Sequence, residues 1–471
     1  MKHLFILCVS FLSFALLAQK PQHTIISGKI LNNTTTEVNL VHFNQWEWED
    51  IMVQLDKNGL FRFDLLLTEG AQFRIENSEN SWDMYYEAGD SVFLTLRVGY
   101  EDSLIQASGK GAAQCLWIAE NFKWGAKLRK SNSDALPAES ALFIDSVYKA
   151  RLVFLEKYSL LHPEVSEGFK LYYRLEYRYR AYNRKQMLAF AYAANHKIEV
   201  DSVPVPKNMF DYMDTIAINV DKYWISDTYQ DMVRSVVYHH YRNICEKAKQ
   251  GGNEKAYSPL ESYQLAKMMI TGRAKWSTRA EVLNYCFQTM DSLILQEYNS
   301  FLAECPNPVI VKRLKASFEE KQIMAKGKNA PNFTAIDLQG KTVSLADFQG
   351  HIVMLDFWSS WCGPCLHELS LEKGQKLEEK YAAKGIVFLK VNLDIKEEAW
   401  ITTLDRLSIR NKGTHIHQAG DFDSPVAKAY GIVGIPTYLI LDKKGIIVEN
   451  VPPRPSDPKL AEILDKLLEK P

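Results

Sequence analysis

Two cysteines separated by two residues are the side chains of this sequence best equipped for chemistry. They stand in Trp358-Ser359-Ser360-Trp361-Cys362-Gly363-Pro364-Cys365. An apolar run from Ile352 to Phe357 precedes them and reads as a buried strand. The stretch from Pro364 to Lys380 follows and reads as a helix. At such a junction both sulfurs fall on the first helical turn and can meet, which is what reversible dithiol exchange needs. One thiol must be accessible and ionised to attack a disulfide. The other must lie close enough to displace what was attacked. Pro364 suits the first turn because its missing N–H forfeits no helical hydrogen bond. Free backbone N–H groups and the helix dipole favour a thiolate at Cys362.

Competing chemistries have less support. A Cys-x-x-Cys pair is half of a zinc site, but no second pair exists and Gly-Pro between the cysteines fits a helix start. His415 and His417 have a metal-like spacing that alternating strand or loop positions also explain, so no metal is expected. His367, two residues after Cys365, is expected on the solvent side of its helix. The seven cysteines include Cys8, Cys115, Cys245, Cys286 and Cys305 besides the pair. The four central ones are open to two readings, buried thiols or up to two disulfides.

The elements that must position the pair fall into three regions. The chain has 471 residues, enough for about three domains at roughly 150 residues each. Residues 22–108 carry short alternating runs broken by turn residues and are expected to form an all-β sandwich or barrel. Asp56-Lys57-Asn58-Gly59, between Met52–Leu55 and Leu60–Phe63, reads as a hairpin turn. Gly109-Lys110-Gly111 reads as a hinge. Residues 112–324 lose the strand signals and are expected to be a helical domain. A long Gly- and Pro-free stretch, extending to His196, contains the Tyr/Arg-rich segment 172–184, which fits helix packing with snorkelling arginines. Lys326 to Pro331 reads as a linker. Strands then alternate with helices over residues 326–471, which implies an α/β domain with a central mixed sheet.

Lys+Arg at 56 and Asp+Glu at 57 give a formal charge of −1, and no nucleic-acid partner is expected. Residues 1–18 pair a short basic start with an apolar run from Leu4 to Leu17 and a small residue at the exit. This reads as a secretory signal peptide cut near Ala18. A periplasmic or cell-envelope location, soluble after cleavage, is the expectation.

Residues 326–471 resemble the secreted TlpA/ResA-like thiol–disulfide oxidoreductases of the thioredoxin superfamily. The likeness is carried by Trp361-Cys362-Gly363-Pro364-Cys365, by Asp356 six residues before Cys362, by Glu368 three after Cys365, and by Ile435-Pro436-Thr437. The lead-in from Ala330 to Phe348 is similar to the N-terminal hairpin of that group, and the segment between Leu393 and Tyr430 to its central insertion. Residues 22–108 resemble the small β-domain found upstream of such domains in secreted Bacteroidota proteins. The resemblance implies a thioredoxin-like fold and the following roles. Cys362 attacks and Cys365 resolves. Asp356 or Glu368 takes the Cys365 proton. Trp361, Gly363, Pro364, Ile435 and a cis Pro436 meet the substrate, while Trp358 and Trp361 shield the site. The chemistry would need no cofactor beyond the cysteine pair. Partners would be protein disulfides and a membrane-bound electron donor. Asp356 and the Gly-Pro dipeptide depart from many members of the group towards thioredoxin itself, which favours a reductant. A binding protein with an accessory redox domain, or an isomerase or oxidant, are the alternatives.

Overall fold

The computed structural model describes residues 20–42, 46–99, 104–126, 134–196, 198, 202–206, 208–251, 258–287 and 292–469. The expected signal segment, 1–18, lies outside the described residues. The chain is multidomain, with N-terminal sheets, a helical middle and a C-terminal mixed sheet. It divides into two compact units. One comprises Met1–Phe43, Glu49–Leu128 and Phe154–Tyr173, and the other comprises Asn44–Trp48, Arg129–Val153 and Arg174–Pro471. The helical stretch is therefore shared out between them.

In the first unit, β1 (Gln22–Leu31), β4 (Leu60–Leu67), β7 (Ser91–Arg97) and β8 (Leu104–Lys110) form one sheet in the order β4-β1-β7-β8. A second sheet runs β3-β2-β5-β6, from β2 (Glu37–His42), β3 (Ile51–Gln54), β5 (Ala71–Glu76) and β6 (Ser81–Tyr86). Strict alternation along β4 buries Phe61, Phe63, Leu65 and Leu67 on one face. The turn at Asp56–Gly59 forms as read, with Gly59 at φ 74° and the Asp56 carboxylate accepting from the N–H groups of Asn58 and Leu60. It does not close a hairpin ladder, however: β3 pairs with β2 and β4 pairs with β1. The turn carries the chain from one sheet to the other, an arrangement that local turn chemistry cannot distinguish from a hairpin. Helix α1 (Ala112–Ala126) supplies Trp117, fully buried and stacked on Phe154 at 5.0 Å between ring centroids.

In the second unit the middle helices are α2 (Pro137–Leu161), α3 (Glu167–Gln186), α4 (Leu188–His196), α5 (Asp227–Gln250), α6 (Pro259–Met269), α7 (Ala274–Cys286), α8 (Ser292–Glu304) and α9 (Pro308–Ile323), with α2 and α3 contributing to both units. Along α3, Tyr177 and Tyr179 are buried and Arg174, Arg178 and Arg180 exposed. This is the packed face with arginines at its margin that the sequence suggests. Cys115, Cys286 and Cys305 are buried and Cys245 is half-buried, all four outside any disulfide.

The C-terminal sheet runs β10-β9-β13-β12-β11-β14-β15. Its strands are β9 (Thr334–Asp337), β10 (Thr342–Ser344), β11 (Ile352–Trp358), β12 (Ile386–Asn392), β13 (Thr414–His417), β14 (Thr437–Leu441) and β15 (Ile447–Glu449). The three inner strands β11, β12 and β13 are parallel, and β14 runs antiparallel to β11. Every residue of β11 is buried. The pleat sends Val353, Leu355 and Phe357 into one core with Leu389, Val391 and Leu439. Ile352 and Met354 enter the opposite core with Phe388, Ile440 and Leu460. Each such side chain contributes about 1.5–3 kcal/mol on burial, so the sheet is held from both faces. The helices are α10 (Gly363–Ser370), α11 (Glu372–Ala382), α12 (Glu397–Leu407), α13 (Pro425–Ala429) and α14 (Lys459–Leu468).

Two readings are corrected in this region. The single helix expected from Pro364 to Lys380 is broken at Leu371, whose extended backbone ends α10 and whose side chain is buried. Here tertiary burial overrides a locally helical pattern. The expected linker at Lys326–Pro331 is no free tether. Gly327 and Ala330 donate backbone hydrogen bonds to Ile447 and Gly445, and Met324 just before it packs into the core with Phe333 and Leu441.

Candidate active site

Strand β11 ends at Trp358, and the chain turns through Ser359–Trp361 to place Cys362 at the N-cap of α10, with Pro364 in its first turn. Cys362 and Cys365 are joined as a disulfide, their Cα atoms 5.2 Å apart. The backbone N–H of Cys365 donates to the Cys362 sulfur at 3.1 Å. A donor already aimed at that sulfur, together with the N-terminal end of the helix, is what stabilises negative charge there once the pair is reduced. Both cysteines are buried, Cys365 the more deeply at 1% exposure against 4%.

The Ile435–Pro436 peptide is cis, and the Ile435 carbonyl oxygen lies 3.6 Å from the Cys362 sulfur. The fold thus brings this loop beside the cysteines across 73 residues of sequence. Trp358 is fully buried, whereas Trp361 is 53% exposed with its ring edge-on to Phe422 at 5.8 Å between centroids. Gly363 has open space where a Cβ would stand.

The two carboxyls sit in different environments. Asp356 is buried in β11, and its Oδ1 has no hydrogen-bond partner among the described residues. Burial pushes its pKa up to about 7, Lys390 pulls the other way, and Glu378 and Glu368 add to the rise. Glu368, also buried, is held by the Ser456 hydroxyl at 3.0 Å and lies 3.7 Å from the Arg454 guanidinium. Of the two candidates, Asp356 is the carboxyl with an oxygen left free and a pKa suited to accepting a proton near neutrality.

His367 is buried rather than on the solvent side. Helix α4 packs against α10, and no local sequence signal announces that contact. His415 and His417 occupy β13 and give their Nε2 atoms to the carbonyls of Ile409 and Asp394 at 2.9 and 2.8 Å. Among the described residues no group of three or more potential ligands could hold a metal ion.

Sequence reasoning passed over the residues that brace the turn. Asp394 accepts from the Ser360 N–H and hydroxyl and from the Asn392 amide, tying the segment before Cys362 to the end of β12. It also passed over Lys390, buried in β12 and ion-paired with Glu378 of α11. The available signal was a lone lysine inside the apolar run Ile386 to Leu393; a buried charge must be paired.

Residues 326–450 match the AhpC/TSA family model. Over 150 residues the chain is 31% identical to the thiol–disulfide oxidoreductase ResA of Bacillus cereus, a span of 32% of this chain and 83% of that protein. The chain belongs to the ResA family of thiol–disulfide oxidoreductases. ResA of Bacillus subtilis is 29% identical over 136 residues, 29% of this chain and 72% of that one. Among solved structures, the thioredoxin domain of a thiol–disulfide oxidoreductase from Bacteroides vulgatus is 30% identical with a TM-score of 0.28, covering 31% of this chain and 99% of that chain. A thiol:disulfide interchange protein from Bacteroides sp. is 26% identical with a TM-score of 0.27, covering 31% and 92%. The ResA-like segment thus accounts for the cysteine pair and its surroundings, and it makes the chain a thioredoxin-like enzyme of dithiol exchange. Among the described residues no helix is long and apolar enough to cross a membrane.

Proposed function

We propose that this ResA-family enzyme is an exported reductant of disulfides in other proteins. The observation that carries the reading is the Cys362–Cys365 pair at the start of α10, with the Cys365 N–H aimed at the Cys362 sulfur and the cis Ile435–Pro436 loop beside it. In the reduced enzyme the Cys362 thiolate attacks a substrate disulfide, forming a mixed disulfide and releasing one substrate thiolate. The Cys365 thiol then gives its proton to the Asp356 carboxylate, and its sulfur attacks Cys362. The bond between Cys362 and the substrate breaks, and the second substrate sulfur leaves as thiolate. Two electrons pass to the substrate and the enzyme is left as the disulfide. The enzyme works with no cofactor beyond this pair. Glu368, fixed by Ser456 and Arg454, shapes the charge around the resolving cysteine.

Trp361, Gly363, Pro364, Ile435 and Pro436 line the face that meets an extended substrate segment, the Ile435 backbone offering hydrogen bonds in the manner of strand addition. Asp356 and the Gly-Pro dipeptide support a potential nearer the about −270 mV of thioredoxin than the about −120 mV of DsbA. Such a reductant outside the cytoplasm needs a supply of electrons, and a membrane-bound thiol donor fits. The basic-then-apolar start of the sequence, cut near Ala18, supports export to the periplasm or cell envelope.

Reduction of insulin by the full chain and by Cys362→Ser tests the reading. Turbidity with the parent and none with the variant is expected, and equal activity overturns it. A measured potential near about −120 to −180 mV would replace the reductant by an oxidant or isomerase.

A further inference from the structure

The sheet carries one polar row. Asp356 of β11 stands directly opposite Lys390 of β12 on one side and Tyr438 of β14 on the other, and Lys390 stands opposite His415 of β13. All four are buried. The pleat places them on the face that carries Met354 and Phe388, where α11 contributes Glu378 and α10 contributes Glu368 and Cys365. Three acids therefore share this side of the sheet with two cations. Glu368 takes the Arg454 guanidinium together with the Ser456 hydroxyl. Glu378 takes the Lys390 ammonium in a direct ion pair. Asp356 is left over, with Oδ1 unpartnered among the described residues. His415 supplies no charge, because burial and the neighbouring Lys390 push it down to about 4, and burial keeps Tyr438 neutral.

The pair is built in. Gly413, at φ 79°, leaves open the space beside it: a Cβ there would come 2.9 Å from Lys390 Nζ and 3.8 Å from Glu378 Oε2. Lys390 has thus been given a place away from its opposite neighbour in the row.

We propose that Glu378 is a positioning residue of the exchange reaction: by holding Lys390 it keeps Asp356 the one acid of the cluster without a cation of its own, and so a proton acceptor for Cys365. The inference rests on the reading in which Asp356 receives that proton. No group on Glu378 touches the substrate or either sulfur in this role. It acts by deciding which carboxylate the buried lysine serves.

The experiment loads Cys362 of the reduced full chain with thionitrobenzoate and follows the coloured thiolate released when Cys365 attacks, across pH. In the parent, release rises through an acid limb as Asp356 loses its own proton. In Glu378→Gln the lysine turns to Asp356, which then ionises earlier. The limb moves down by about one pH unit, and the plateau falls because the acceptor is a weaker base. An unmoved limb in the folded variant overturns the proposal. If Glu378→Gln does not fold, Lys390→Gln opens the same pair from its other end. That leaves Asp356 beside an uncompensated Glu378, and its limb must move up; an unmoved limb there also overturns the proposal. Asp356→Asn separates the two levels. If it keeps the parental limb, the proton route through Asp356 fails, independently of Glu378.

Discussion

The backbone N–H of Cys365 points at the sulfur of Cys362 from 3.1 Å. The contact exists because Cys362 is the N-cap of α10, a position where a side-chain acceptor ordinarily captures an N–H two or three residues on. Here the captured hydrogen belongs to the partner cysteine, so the feature that begins the helix also sets a donor against the Cys362 sulfur.

The first prediction concerns reactivity. After mild reduction, iodoacetamide at neutral pH should modify Cys362 about tenfold or more faster than an ordinary cysteine. Cys115, which burial pushes upward, and buried Cys286 should stay unmodified until the chain unfolds. Peptide mapping of the alkylated protein reads the order. In Cys365→Ser, mixed disulfides with substrates should accumulate and be released by dithiothreitol.

Asp356 gives the second. Its folded-state pKa of about 7 lies above the ordinary 3.8. Below the lower value both states hold the proton and the group contributes no pH dependence. Between the two the unfolded chain loses its proton first, so stability falls as pH rises. Above about 7 the whole cost of the buried charge is present. Asp356→Asn should therefore gain stability over the parent as pH rises from about 4 to 7, by a few kcal/mol in all. Its resolving step should slow over the same range. Urea melts at pH 5 and pH 8 check the first effect, and rapid-mixing kinetics the second.

Trp361 gives a prediction with the opposite signature. Its ring is half-exposed and lies edge-on to Phe422. Trp361→Ala should change stability by less than about 0.5 kcal/mol. It should raise KM for a protein disulfide several-fold, for a loss of about 1 kcal/mol of contact, while turnover of a small disulfide is unaffected. Steady-state kinetics on both substrates distinguish the cases.

How much of this was legible beforehand depends on distance along the chain. The β11-to-α10 junction, the cysteine pair and the alternating strands of the first unit are local patterns, and local patterns were enough to read them. Asp356, Glu368 and Pro436 were reached through resemblance, since nothing in their own neighbourhoods marks them. The sheet exchange at Asp56–Gly59 was missed because the same turn serves a hairpin and a crossing between sheets. The burial of His367 was missed because it comes from tertiary packing around α10, to which α4, far away in sequence, belongs. The polar row was half visible: Lys390 stood out in an apolar strand, but its partner Glu378 lies twelve residues upstream on a helix whose placement only the fold supplies.

Gly413→Ala is the fourth prediction. A side chain at φ 79° is strained and its Cβ would crowd Lys390 Nζ and the Phe388 carbonyl. The substitution should cost about 1–2 kcal/mol in urea unfolding. It should also disturb the pH profile of thionitrobenzoate release, which Gly340→Ala, at φ 74° with open space around it, should leave alone.

Met324 closes the last turn of α9 and at the same time fills the core beneath Phe333 and Leu441. Whoever cuts this protein to obtain its redox third must respect that anchor. A fragment starting at Gly327 would carry a hole where a thioether belongs, and would melt earlier than one that begins a few residues upstream, however complete its alignment with ResA looked on paper.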